Sequence, residues 1–320
     1  MVALSEYQDL RRDSNPILGR FAAGWILANH SPMPELPEVE TFRNQMDRAL
    51  RGKTLKLVTP DLDDHIVYDK ASPETVRDAI QGAKVLGSGR KGKYFWLILN
   101  RRPWPVFHLG MTGNVEIRKP GKSSKAVWVG NPLRTGKPKK REPGDIPWFC
   151  RILLQADDGT QVAVTDPRRF GRIRLAQDPL TEPPISKLGY DPLGKFPSAR
   201  ELAKILGRRK APIKAVLLDQ GLFAGVGNWI ADEVLFQSGI APRRLGSSLS
   251  ATEVTKLRTK LLSIIRKAVS TRADYTLFPK HWLFHHRWGK KKNARTHKQL
   301  KIAHTTVGGR TTAWVPEVQK

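Results

Sequence analysis

The sequence predicts an α+β protein, with an N-terminal antiparallel β-sandwich carrying flanking helices and a helical C-terminal half. Three observations carry this. Strand-like runs succeed one another between residues 54 and 177: "TLKLV", "AKVLGSG", "KYFWLIL", "VFHLGMTGNVEI", "CRILLQA", "QVAVTD" and "GRIRLAQ". The composition then turns at "EPPISKLGYDPLG" (182–194), where three prolines and two glycines mark a linker. Beyond it the apolar spacing becomes helical.

Residues 1–32 show no strong period. Their Arg11, Arg12 and Arg20 are balanced by Glu6, Asp9 and Asp13, whereas a mitochondrial presequence should be poor in acids. A helix is expected from Pro37. Proline suits the first helical position, and Glu38 and Glu40 suit the positive end of the dipole. Val39, Phe42, Met46 and Ala49 or Leu50 then share one face. Among the strands, "DDGT" (157–160) reads as a hairpin turn, and "GNPLRTGKPKKREPGD" (130–145) as a mobile basic loop. After the linker, "SARELAKIL", "PIKAVLLD" and "NWIADEVLFQ" are helical, and "SATEVTKLRTKLLSIIRKAV" opens with Ser250 and Glu253 at capping-box spacing. Residues 281–320 carry nine Lys/Arg and one Glu, interleaved with Trp, Phe and His. The expected division is an extension 1–33, a sandwich domain 34–181, a linker 182–194, a helical domain 195–278 and a terminal segment 279–320.

The 320 residues hold 56 Lys+Arg against 29 Asp+Glu, a net charge of +27. The basic residues are spread over folded-looking segments rather than one amphipathic helix. That points to nucleic acid rather than an acidic membrane surface, the plainer alternative being a basic tail on an unrelated enzyme. The longest apolar runs are strand-sized, so no membrane span is expected. Cys150 is the sole cysteine, which excludes an intramolecular disulfide and a multi-cysteine zinc site.

Pro34 raises a chemical question. Inside a chain its nitrogen is an inert tertiary amide. At a chain start it would be a secondary amine with a pKa near neutrality, able to attack a sugar aldehyde carbon and form an iminium electron sink. Glu35 and Glu38 would lie close by for proton transfer. From the residues alone, an ordinary proline-rich helix entry stays open. "GVGN" (225–228) precedes a helical run, and its backbone N–H groups could receive a phosphate. A dinucleotide fingerprint is rejected there, because Ile230 stands where the third glycine belongs and no strand precedes it. His281, His285, His286, His297 and His304 suggest a metal, but they lack cysteine or an acid cluster and read as packing or phosphate-facing residues.

"MPELPEVET" resembles the amino terminus of the formamidopyrimidine-DNA glycosylase/endonuclease VIII family, in which the initiator Met is removed and proline is the catalytic amine. "GRKGKYFWLIL" resembles the family's lysine-bearing hairpin, "HLGMTG" its methionine loop and "TDPRRFG" its arginine–phenylalanine loop. "LGYDPL" resembles the interdomain linker, and "KAPIKAVLLDQGLFAGVGNWIADE" the helix-two-turns-helix motif. The matches follow family order across residues 33 to 318. The resemblance implies catalytic roles for Pro34, Glu35, Glu38 and Lys93. It implies DNA contacts by Met111, Arg168, Arg169, Phe170, Lys210, Lys214 and Asn228. Apolar Met111 and Phe170 could wedge between bases while Arg168 bonds the widowed base.

Two departures follow. The bacterial four-cysteine finger is missing, and "DYTLFPKHWLFHHRWGKK…TVGGRTTAWVPEVQK" resembles the zincless β-hairpin finger of fungal, plant and some animal members, with Arg310 as its DNA-gripping arginine. "STRADYTLFPKHW" leaves little room for the glycine-rich segment that folds over 8-oxoguanine. Formamidopyrimidines, hydantoins and abasic sites are therefore the expected lesions. The resemblance implies a monomeric, cofactor-free glycosylase/abasic-site lyase acting on double-stranded DNA in base-excision repair. It would work in the nucleus, with mitochondria the alternative. The chemistry requires the working chain to begin at Pro34, through initiation at Met33 or removal of what precedes it. The rival reading is a non-catalytic binder of damaged nucleic acid; Pro34, Glu35 and Lys93 are all present, which speaks against it.

Overall fold

The computed structural model describes residues 33–120, 146–290 and 293–320. Residues 1–32 and the basic loop at 130–145 lie outside it. Helix α1 (Leu36–Leu50) begins one residue ahead of Pro37, and its buried face includes Val39, Phe42, Met46, Ala49 and Leu50. The strands are β1 (Leu55–Pro60), β2 (Val85–Lys91), β3 (Tyr94–Leu99), β4 (Trp104–His108), β5 (Asn114–Arg118), β6 (Cys150–Ala156), β7 (Gln161–Thr165) and β8 (Arg172–Ala176). They form two four-stranded sheets, ordered β1-β6-β7-β5 and β2-β3-β4-β8, with antiparallel neighbours throughout. One core joins them. Leu55, Ile152, Leu154 and Val162 of the first sheet share it with Phe95, Leu97, Phe107 and Ile173 of the second. The rings of Phe95 and Phe107 stack at 5.2 Å, and burying each side chain is worth about 1.5–3 kcal/mol.

Two details differ from the sequence reading. "VFHLGMTGNVEI" is not one strand. β4 ends at His108, residues 109–113 turn, and β5 joins the other sheet, so the turn that carries Met111 is the crossover between layers. Helix α2 (Pro73–Ile80) was not anticipated. Ser72 caps it by accepting the Thr75 N–H at 3.1 Å, and Pro73 fills its first turn, so the signal was a cap followed by proline.

The second half holds α3 (Ala199–Gly207), α4 (Ile213–Leu218), α5 (Asn228–Ser238) and α6 (Ala251–Ser270). They close over a core that includes Trp229, Ile230, Leu217 and Ile265. The box at α6 forms as expected: Ser250 N–H donates to Glu253 Oε2 at 2.8 Å and Glu253 N–H to Ser250 Oγ at 3.3 Å. The chain ends in an antiparallel hairpin, β9 (Ala303–Val307) and β10 (Arg310–Trp314), turned by Gly308 and Gly309 at φ 58° and 70°. A small cluster of Leu283, Ile302, Ala313 and Val315 supports it.

Both ends of the sandwich domain dock on the helical domain. Leu36 N–H reaches Gly225 O at 3.1 Å, and the linker's Tyr190 pairs with Leu222 and Ala224 at 2.9 Å each. No helix of the described residues is long and apolar enough to cross a membrane.

Candidate active site

The junction of the two domains gathers the acids. Glu35 is 2% exposed, and its carboxylate accepts the N–H groups of Trp229 (2.9 Å) and Ile230 (3.2 Å). It therefore sits on the positive end of α5. Gly227 is required for this approach, since a Cβ there would fall 2.2 Å from the Glu35 carboxyl carbon. Glu35 so takes the two N–H groups just beyond "GVGN"; within that stretch Gly225 N–H donates to Gln220 Oε1 at 3.0 Å and Val226 N–H to Phe223 O at 3.4 Å. Burial raises the Glu35 pKa. Lys93, the two N–H donors and Arg287 oppose that rise without cancelling it.

Glu38 is 3% exposed. Its Oε2 accepts Glu35 N–H at 3.0 Å, and its Oε1 accepts the Tyr275 hydroxyl at 2.9 Å. Burial, and secondarily the charge of Glu35, push its pKa up to about 7. Lys93 stands on the β2–β3 turn. Burial lowers its pKa, Glu35 and Glu38 pull it back up, and Arg310 lowers it further. The finger's arginine thus reaches the lysine electrostatically although it is itself exposed. Pro34 is buried immediately ahead of Glu35. The structure therefore brings Pro34, Glu35, Glu38, Lys93 and Arg310 to one place.

The lysine turn is clamped. Arg90 donates to Asp191 through both terminal nitrogens (2.7 and 3.0 Å) and through Nε to Glu40 (2.8 Å). Gly92 N–H adds a bond to Asp191 at 2.8 Å. Asp191 so ties the turn to the linker, and Glu40 ties it to α1.

Met111 is half-buried on a turn whose Gly110 backbone abuts the loop bearing exposed Arg168 and Phe170, the Arg168 guanidinium lying 4.6 Å over the Phe170 ring. Arg169 adopts φ 58° and pairs with buried Asp64 at 2.9 Å, leaving its side chain 39% exposed. Lys210 is exposed between α3 and α4. Asn228 Nδ2 donates to Thr311 O of the finger at 3.0 Å.

Lys214 is a correction. It is fully buried, paired with Asp232 at 2.6 Å and bonded to Thr312 Oγ1 (2.8 Å) and Thr311 O (3.1 Å), so it has no surface to offer a phosphate. Asp232 also binds Arg287 at 2.6 Å and accepts Ala313 N–H at 3.0 Å. This acid ties the finger to α4 and α5. The sequence reading missed Tyr275, Asp191, Asp232 and Arg287; all four lay inside quoted motifs, but nothing in their spacing named a partner.

Cys150 is buried and its thiol is pushed up to about 12 by burial, which removes it as a nucleophile. Among the described residues no three His, Cys, Asp or Glu side chains gather to hold a metal ion. His285 and His304 instead meet backbone carbonyls of Phe278 and Arg287.

Residues 33–173 match the formamidopyrimidine-DNA glycosylase N-terminal domain, and residues 188–279 the H2TH domain of the same enzymes. The fold is that of the Lactococcus lactis formamidopyrimidine-DNA glycosylase non-covalently bound to DNA containing an abasic site, with a TM-score of 0.73 at 21% identity over 89% of this chain and 99% of that one. This sandwich, helix-two-turns-helix and hairpin arrangement, with its buried acids at the junction, defines the class: a DNA-repair glycosylase. An Arabidopsis thaliana formamidopyrimidine-DNA glycosylase is 40% identical over 289 residues, covering 90% of this chain and 71% of the relative. A Novosphingobium aromaticivorans enzyme of that name is 31% identical over 301 residues, covering 90% and 100%. The chain belongs to the formamidopyrimidine-DNA glycosylase family.

Proposed function

We propose that this glycosylase is bifunctional, excising an oxidised base and then cutting the abasic strand through an imine on Pro34. The convergence of Pro34 with two buried acids of raised pKa and a lysine of lowered pKa carries the reading. The Pro34 amine attacks sugar C1′ as the base departs with its bonding electrons. Glu35 supplies a proton to the ring oxygen, which opens the sugar and leaves an iminium. Glu38 and Lys93 hold the sugar and its phosphates while elimination expels the flanking phosphates in turn. The substrates are formamidopyrimidines, hydantoins, oxidised pyrimidines and abasic sites. In support, Ala273, Tyr275 and Phe278 of the short segment 273–278 turn into the core, the last two 4% and 2% exposed, which ties it down rather than leaving it to arch as a cover for 8-oxoguanine.

The test compares a chain started at Met1 with one started at Met33, each checked by mass spectrometry. Borohydride should trap the Pro34-ended form on abasic DNA. Trapping by a chain that retains residues 1–33 would overturn the mechanism and direct attention to Lys93. In single turnover on a lesion panel, hydantoin should be released faster than 8-oxoguanine; the reverse order would refute the substrate assignment.

A further inference from the structure

We propose that Asp166, through Thr112, locks the Met111 turn and the Arg168–Phe170 loop into one wedge that enters the DNA as a unit. This rests on the reading that these side chains fill the space left by an extruded nucleotide. Met111 and Phe170 come from separate segments: one is the crossover between the sheets, the other the connection between β7 and β8. Nothing in their sequence separation requires them to move together.

The structure supplies a coupling. Asp166 is 2% exposed. Its Oδ1 accepts the Thr112 hydroxyl at 2.6 Å and the Arg168 N–H at 3.2 Å; its Oδ2 accepts the Gly171 N–H at 2.7 Å. One carboxylate therefore holds the residue after Met111 and both shoulders of Phe170. Its own backbone is anchored from beneath. Asp166 N–H donates to Phe149 O at 2.9 Å, and Arg151 Nε donates to Asp166 O at 3.0 Å. Steric closeness reinforces the bond. Gly110 has φ +58°, and a Cβ there would lie 2.4 Å from the carbonyl carbon of Phe170. The two backbones touch with no side chain between them.

The physical consequence is cooperativity. Two independent wedges would each meet the cost of unstacking a base step separately. Two coupled wedges meet it once, and the entry of one positions the other. Losing either side chain should then remove much of the benefit of both, so the effects of the two losses would not add. Thr112 is a positioning residue here. Among the described residues, its hydroxyl makes the side-chain hydrogen bond from the methionine turn to the carboxylate.

The test is a double-mutant cycle. Met111→Ala, Phe170→Ala and the pair are made in the natural background and in Thr112→Val, with Thr112→Ser as the conservative variant. Single-turnover excision from a lesion duplex is read alongside extrusion, followed by 2-aminopurine fluorescence beside the lesion. In the natural background the double variant should be faster than the product of the single effects predicts, by about threefold or more. In Thr112→Val that excess should vanish, and Thr112→Ser should restore it. Borohydride trapping on single-stranded abasic DNA, which needs no extrusion, should be unchanged by Thr112→Val. Coupling that survives Thr112→Val overturns the proposal, as does failure of serine to restore it or a loss of single-strand trapping. If neither Met111→Ala nor Phe170→Ala slows excision, the wedge reading falls first and the proposal with it, an outcome distinct from additive losses.

Discussion

Glu38 illustrates how a single carboxyl is set by its neighbours. Burial and Glu35 raise its pKa to about 7, while the Tyr275 hydroxyl and the Glu35 N–H restrain the rise. Tyr275→Phe removes one restraint, so the Glu38 titration should move above about 7 in the pH profile of single-turnover strand cleavage. An unmoved profile would show that the hydroxyl does not govern this acid. Glu233 gives the matching stability prediction. It is buried, accepts Phe284 N–H at 2.8 Å, and has its pKa raised by burial from 4.5 to about 7. The folded chain thus keeps a proton that the unfolded chain has lost. The stability this brings is full below pH 4.5 and disappears as pH rises through about 7. The slope reaches about 1.4 kcal/mol per pH unit. Glu233→Gln is neutral at every pH, and urea unfolding between pH 4.5 and 7 should lack that part of the slope.

Elements show where the sequence was legible. Alternating and continuous apolar runs gave the strands, and Ser–x–x–Glu gave α6, because those signals are local. The split of "VFHLGMTGNVEI" was not legible: both halves are equally apolar, and only the closing of two sheets decides that the chain turns at 109–113. The clamp on the β2–β3 turn was hidden for a similar reason. Asp191 lies 101 residues from Arg90, and no local pattern joins them. Asp191→Ala should leave duplex affinity near its natural value yet slow sugar chemistry about tenfold or more, because a displaced lysine loses its orientation. Equal losses of affinity and rate would argue against the clamp. Lys214 misled for the opposite reason: a lysine in a DNA-binding motif looks like a phosphate ligand until its burial is seen. Lys214→Ala should cost about 3–5 kcal/mol of stability, read by urea unfolding, since Asp232 then loses a buried partner.

At the scale of the molecule, the charge of +27 predicts binding that weakens steeply with salt. Exposed Lys210 and buried Lys214 separate the contributions. Lys210→Ala should reduce the slope of log affinity against log salt by about 1, whereas Lys214→Ala, measured where it remains folded, should leave it unchanged. The two-domain plan was readable from the change of composition at 182–194. That the buried acids Glu35 and Glu38 lie between the domains was not, since Glu35 and Trp229 stand 194 residues apart.

Glu35 on the first turn of α5 has a consequence for inheritance. The linker offers an obvious crossover point for exchanging halves between relatives, because each half has its own core. A crossover there would separate Glu35 from Gly227, Glu38 from Tyr275 and Arg90 from Asp191. Each half would then meet a stranger across the seam at which we propose the chemistry takes place. The halves must therefore vary in step, and a hybrid could fold soundly on both sides of its linker and still lack a catalyst.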